Sequence, residues 1–244
     1  MNRVDSSYTT LNASRIADTI ELLEQRVRER FPNASLVGVA HELAQVARTA
    51  MTEAPDFERP ITPIRAVSSA LIMGLLTLVV VVLASVSWSS PIDDTGEFVQ
   101  TLESAVNDVI FVALAVFFLA GWESRVKRAR ALKAIHRLRS LAHVVDMHQL
   151  TKDPEALLNP HPTLSSPERT MTRFELVRYL DYCSELLSLT SKVAALYVQH
   201  LPDPQVQASV NEVVTLTTGL SSKVWQKIMI LDDATPGVRK SFSP

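Results

Sequence analysis

Two stretches of the chain carry apolar side chains all round a helix rather than on one face. Ala66–Trp88 holds no charged residue, and Val106–Trp122 holds only Asp108, near its start. At about 23 and about 17 residues, both fall within the range that crosses a ~30 Å hydrocarbon core as a helix. A backbone in lipid must satisfy its own hydrogen bonds, so the two are predicted to be helices paired as a hairpin. Trp88 and Trp122 end the runs and are expected as membrane anchors, where an indole buries its ring and keeps its N–H among headgroups. Ala66, Ala70 and Gly74 recur every fourth residue. That small-residue face lets another helix approach closely, the second span of the same chain first of all.

Elsewhere the apolar positions form single helical stripes. Ile16, Ile20, Leu23, Val27 and Phe31 predict a helix over 13–31, ended by Pro32-Asn33. Ser35 is the expected N-cap of a second helix reaching about Glu53, with Leu36, Val39, Leu43, Val46 and Ala50 inward, so residues 1–54 read as a helical hairpin. Residues 55–65, with Pro55, Pro60 and Pro63, form an elbow into the first span, and 89–105 a short loop between the spans. From Val106 to Gln149 there is no proline, and the one glycine is Gly121. The second span is therefore expected to continue unbroken as a helix of ~44 residues, ~66 Å long. Its extension over 123–150 carries the stripe Leu132, Ile135, Leu138, Leu141 (or Ala142) and Val145.

A proline-rich loop is predicted over 151–165, and Ser166-Pro167-Glu168 reads as the start of a C-terminal helical hairpin over 166–231. Leu176, Leu180, Cys183, Leu187, Thr190, Ala194, Tyr197 and Leu201 alternate spacings of four and three, a coiled-coil seam. Leu176, Leu180, Leu187 and Ala194 are the expected contacts of that seam; a homo-oligomer is the natural expectation, with the seam either closing within the subunit or zipping between subunits. Asp203-Pro204 opens the last helix, with Val206, Val210, Val213, Leu220, Val224 and Ile228 inward, and 232–244 is a loose tail.

Charge adds orientation. The 89–105 loop holds Asp93, Asp94, Glu97 and Glu103 and no Lys or Arg, whereas Arg125, Lys127, Arg128, Arg130, Lys133, Arg137 and Arg139 follow the second span. The positive-inside rule then predicts both termini in the cytoplasm and the short acidic loop outside. The terse connector and short helical hairpins suggest a bacterial inner membrane. Met1–Arg30 has no signal-peptide core, so the first span is expected to serve as its own uncleaved membrane signal. The fold class follows: an all-α integral membrane protein, with a two-helix transmembrane hairpin and a cytoplasmic helical bundle or coiled-coil-like domain. The second transmembrane helix extends into that domain. This layout resembles that of small bacterial two-span proteins with helical cytoplasmic domains, a likeness of architecture that transfers no residue role.

The 244 residues carry a net charge of −2 and one cysteine. Neither suggests nucleic acid as a partner, and one cysteine excludes an internal disulfide. Phosphate-loop, dinucleotide, nucleophile-elbow and zincin motifs are absent from the sequence. Two clusters remain. His143, Asp146 and His148 could supply ligands to a zinc ion, against the plainer reading of hydrogen bonds at a helix end. Arg128, Lys133 and Arg137 could hold a phosphate or lipid headgroup, although topology alone explains basic residues there.

The expected function is that of a non-enzymatic membrane protein, without cofactor, that oligomerises through its cytoplasmic bundle. It would act as a membrane effector or pore, with Ser68, Ser69, Thr77 and Ser85 as a polar track, or as a scaffold for a cytoplasmic protein. The alternative is a metal- or phosphate-binding sensor, or a metal-dependent enzyme, using the His143 cluster.

Overall fold

The computed structural model describes residues 10–89, 95–152 and 171–233, and these are helical with short connections and no strand. The chain divides into two compact units: Met1–Glu58 with Arg130–Pro244, and Arg59–Ala129.

The first unit is a helical domain. Helix α1 (Ala13–Arg30) is capped by the Asn12 side chain, which accepts the Arg15 N–H. Its stripe Ile16, Ile20, Leu23 and Val27 is buried as the spacing predicts. Phe31 closes the helix and meets the Tyr179 and Tyr182 rings edge-on at 5.5 and 6.2 Å. Helix α2 (Leu36–Glu53) buries Leu36, Val39, Leu43, Val46 and Ala50. Ser35 precedes it, but lies in helical φ/ψ and makes no side-chain cap bond, contrary to expectation. A 3-10 turn at Pro55–Phe57 folds Phe57 against Tyr197, and Glu58 meets His200 Nδ1 at 2.6 Å. The elbow predicted over 55–65 is thus partly built into this domain.

Helix α5 (Trp122–Leu150) contributes Ala131, Ile135, Leu138, Leu141, Ala142 and Val145 to the core. Arg137 pairs with Glu42 of α2 at 3.2 Å. Helix α6 (Arg173–His200) and helix α7 (Pro204–Asp233) pack along each other, and α6 also contacts α1 and α2. Arg139 of α5 pairs with Glu212 of α7 at 3.1 Å, and Lys227 of α7 donates to the Gln149 carbonyl at 2.8 Å. Both contacts advance in the same chain direction, so α5 and α7 run parallel. Asp203 caps α7 as predicted, its carboxylate accepting the Gln205 and Val206 N–H groups.

Two expectations for this domain are corrected. The helix that reaches His200 begins at Arg173, with Thr172 as N-cap; the expected start at Ser166 lies outside the described residues. Thr172 and Glu175 form a capping box, side chain to backbone in both directions, which satisfies two otherwise orphaned N–H groups. Second, α6 is not a narrow seam. Tyr179, Tyr182, Leu186, Leu189, Val193 and Leu196 are buried along with the seam residues, making α6 the helix the others wrap. Leu176, Leu180, Leu187 and Ala194 are at most 4% exposed within one chain. The seam closes inside the subunit, and a second copy would have to be met by other residues.

The second unit holds helix α3 (Thr62–Ser89) and helix α4 (Thr95–Ala120), which pack on each other. Both are long and apolar enough to cross a membrane: their most apolar 18-residue stretches have mean hydropathies of 2.2 and 1.8 and are not buried. The predicted loop at 89–105 is shorter than expected, because α4 already begins at Thr95. The second span and its extension are not one unbroken helix either; a single turn residue, Gly121, separates α4 from α5. The Gly121 N–H still bonds to Phe117 O, and the Arg125 N–H to Gly121 O, so the ladder continues across the interruption.

On α3 the less exposed positions are Ile64, Ser68, Ile72, Leu75 and Val79, and on α4 they include Val112, Ala115, Val116 and Leu119. Those rows mark the faces the two helices turn to each other. Ala66, Ala70 and Gly74 are exposed, and a Cβ at Gly74 would meet nothing within 4 Å. The small-residue face is therefore not the packing face of this hairpin. Trp122 is exposed at the start of α5, while the Trp88 side chain lies outside the described residues.

Candidate functional site

The described cavities gather at one end of the helical domain. The larger, about 410 Å³, opens at the α1–α2 turn and is walled by the end of α5 and the start of α6. Four helix ends meet here: α1 stops at Arg30, before Pro32, α2 starts at Leu36, α5 stops at Leu150 and α6 starts at Arg173. Arg30 and Asn33 come from the turn, His148 and Lys152 from the end of α5, and Tyr179 from the core side of α6. No Asp or Glu is among the described lining residues.

The two permanent cations of this wall are held by aromatic rings. Lys152 Nζ lies 5.6 Å from the Tyr179 ring centre, and the Arg30 guanidinium 5.6 Å from that of Phe174. Burial pushes the Tyr179 phenol well above its usual range, so the ring beneath Lys152 stays neutral. A cation over an aromatic face gains about 0.5–2 kcal/mol and keeps its N–H donors for other work. A smaller cavity of about 300 Å³ adjoins it through Arg30 and includes Arg26 and Tyr182. There Arg26 is spent, bonding both carboxylate oxygens of Glu185 at 2.6 and 2.8 Å.

The residues singled out from sequence are distributed differently. His143 is exposed on α5, whereas His148 lines the large cavity; five positions place them about 140° apart around the helix. The Asp146 carboxylate accepts a bond from the Gln149 amide. The three do not converge, and among the described residues no group of three His, Cys, Asp or Glu could share a metal ion. Arg128 and Arg137, nine positions apart, lie on opposite faces of α5, and Lys133 is exposed. Those three form no common pocket, and Arg137 is engaged by Glu42.

Among the described residues, Ser68 and Thr77 of α3 do not form a track. Ser68 Oγ donates to Arg65 O and Thr77 Oγ1 to Met73 O, each bonding its own helix, on opposite faces. Ser69 is exposed, and the side chain of Ser85 lies outside the described residues. Cys183 is fully buried, and burial pushes its thiol up to about 12, so it is no thiolate nucleophile.

Where α5 begins, Glu123 accepts the Ile61 N–H and the Lys127 ammonium, both at 2.9 Å. These donors hold its carboxyl below the ordinary glutamate value. The pairing ties the entry to α3 to the first turn of α5. Arg125 folds back over the Phe118 ring, 5.0 Å from its centre, and donates to Phe118 O. Sequence reasoning missed Arg30 and Lys152, because each reads as an ordinary basic residue near a helix C-terminus. Their shared signal is only that both adjoin a break in the helical pattern. No protein family, curated protein or solved structure matches this chain.

Proposed function

We propose that the protein is a non-enzymatic scaffold of the bacterial inner membrane. In this reading the α3–α4 hairpin spans the bilayer, both termini are cytoplasmic, and the cytoplasmic helical bundle is the part that meets a soluble protein partner. One observation carries it: α3 and α4 leave their apolar surfaces uncovered, while the helical domain closes a core of its own. Uncovered helices of that length are costly in water and favourable in lipid. The inert Cys183 and the scattered histidines support binding rather than chemistry. The closed α6 seam and the self-bonded Ser68 and Thr77 favour the scaffold over the pore.

Single cysteines in a Cys183→Ala background test this reading. Ser90→Cys, between the spans, is expected to react with an impermeant maleimide in intact spheroplasts. Gln25→Cys, on the exposed side of α1, is expected to react only after permeabilisation. Labelling of Gln25→Cys from outside, or release of the protein by alkaline carbonate, would reject the placement. Dye leakage from vesicles carrying the purified protein would reject the scaffold in favour of a pore-forming effector.

A further inference from the structure

We propose that the large cavity at the α1–α2 turn binds a phosphate-type anion, free in solution or carried on a lipid headgroup. The first argument is charge. Arg26, Arg28, Arg48, Arg137, Arg139 and Arg178 of the same domain each meet a carboxylate. Arg30 and Lys152 both line one cavity, and among the described residues neither has an ion pair, although the Glu175 carboxylate lies close enough to Arg30 to be stabilised by its charge. Two like charges on one wall are eased by an anion between them.

Helix ends do not cancel this charge. The carboxyl ends of α1 and α5 reach the cavity with about half a negative charge each, and the amino ends of α2 and α6 with about half a positive one each, so the helix ends cancel among themselves. The charges of Arg30 and Lys152 on the wall remain, with Glu175 near Arg30.

The second argument is geometry. The guanidinium offers a planar fork that matches phosphate oxygens, and the ammonium a compact charge beside it. Asn33 and His148 add further polar groups to the wall, and the Ser35 hydroxyl is not spent on capping α2. A volume of about 410 Å³ lies within the usual range for small-molecule sites. The Tyr179 ring gives the cavity an apolar wall, so a phosphate ester of a small organic group fits better than the bare ion.

The test uses the full chain in zwitterionic nanodiscs, titrated calorimetrically with inorganic pyrophosphate. Saturable binding is expected, weakened at least roughly tenfold in Arg30→Gln and in Lys152→Gln. Arg48→Gln, a paired surface arginine elsewhere, should bind as the parent does. Circular dichroism of each variant separates lost binding from lost fold. A second arm replaces pyrophosphate by phosphatidic acid in the nanodisc and reads Tm. A rise there that both cavity variants abolish, without pyrophosphate binding, assigns the anion to a headgroup. Absence of both responses overturns the proposal, as does any response that persists in Arg30→Gln and Lys152→Gln.

Discussion

Cys183 shows how a residue's surroundings decide its chemistry. It lies on α6 among residues that leave it no exposed surface, and its thiol is held at about 12. Native protein is therefore expected to resist thiol reagents near neutral pH, with full labelling only on unfolding; labelling at the rate of a free thiol would contradict the closed core. Glu123 behaves oppositely, its carboxyl lowered from 4.5 by Lys127 and the Ile61 N–H. A lowered carboxyl contributes stability that is complete above the ordinary value and is lost as pH falls through the depressed one. The protection of the Ile61 amide, measured against its intrinsic exchange rate, should hold as pH passes below 4.5 and fall with further acid. In Glu123→Ala that protection should be low at every pH. The inward residues of α1, α2 and α7 were legible from their spacing. Lys152 over Tyr179 was not, because a cation's ring partner across a domain leaves no local trace.

At the scale of elements, stripes located the helices and punctuation located their ends less well. Ser166-Pro167-Glu168 drew the start of α6 away from Thr172, although Thr172-Arg173-Phe174-Glu175 is itself a capping-box sequence. Two competing caps close together cannot be ranked without knowing where the core holds the helix. Thr172→Ala should cost about 1 kcal/mol of stability, read by urea titration. Gly121 is a different failure. A lone glycine is tolerated within helices, so sequence alone did not mark it as a boundary. A Cβ there would lie 2.8 Å from Arg125 Nη1, so the glycine leaves room for that side chain to fold back on Phe118. The seam prediction failed through width: period-seven spacing identified one buried face of α6, but the tyrosines and leucines beside it bury the flanks as well.

At the scale of the molecule, the helical domain is built from two separated parts of the chain, residues before Arg59 and after Ala129. Its interior centres on α6, so Leu187→Ala should lower stability by about 2–5 kcal/mol. That loss should come without a change in particle mass by light scattering in detergent, because Leu187 is buried within one chain. Dissociation of an oligomer by this substitution would return the seam to an intersubunit role. The divided core was only partly legible, since stripes show that a face is covered but not which distant helix covers it.

That division has a consequence for biosynthesis. The apolar faces of α1 and α2 can meet each other early, but their contacts with α6 wait until the ribosome has reached His200. Roughly 150 residues intervene, which at 5–20 residues per second is about 8–30 s of synthesis. During that interval α3 and α4 are made while half a core stands open. The nascent chain, rather than the finished protein, is then the state most exposed to proteases and most in need of a chaperone.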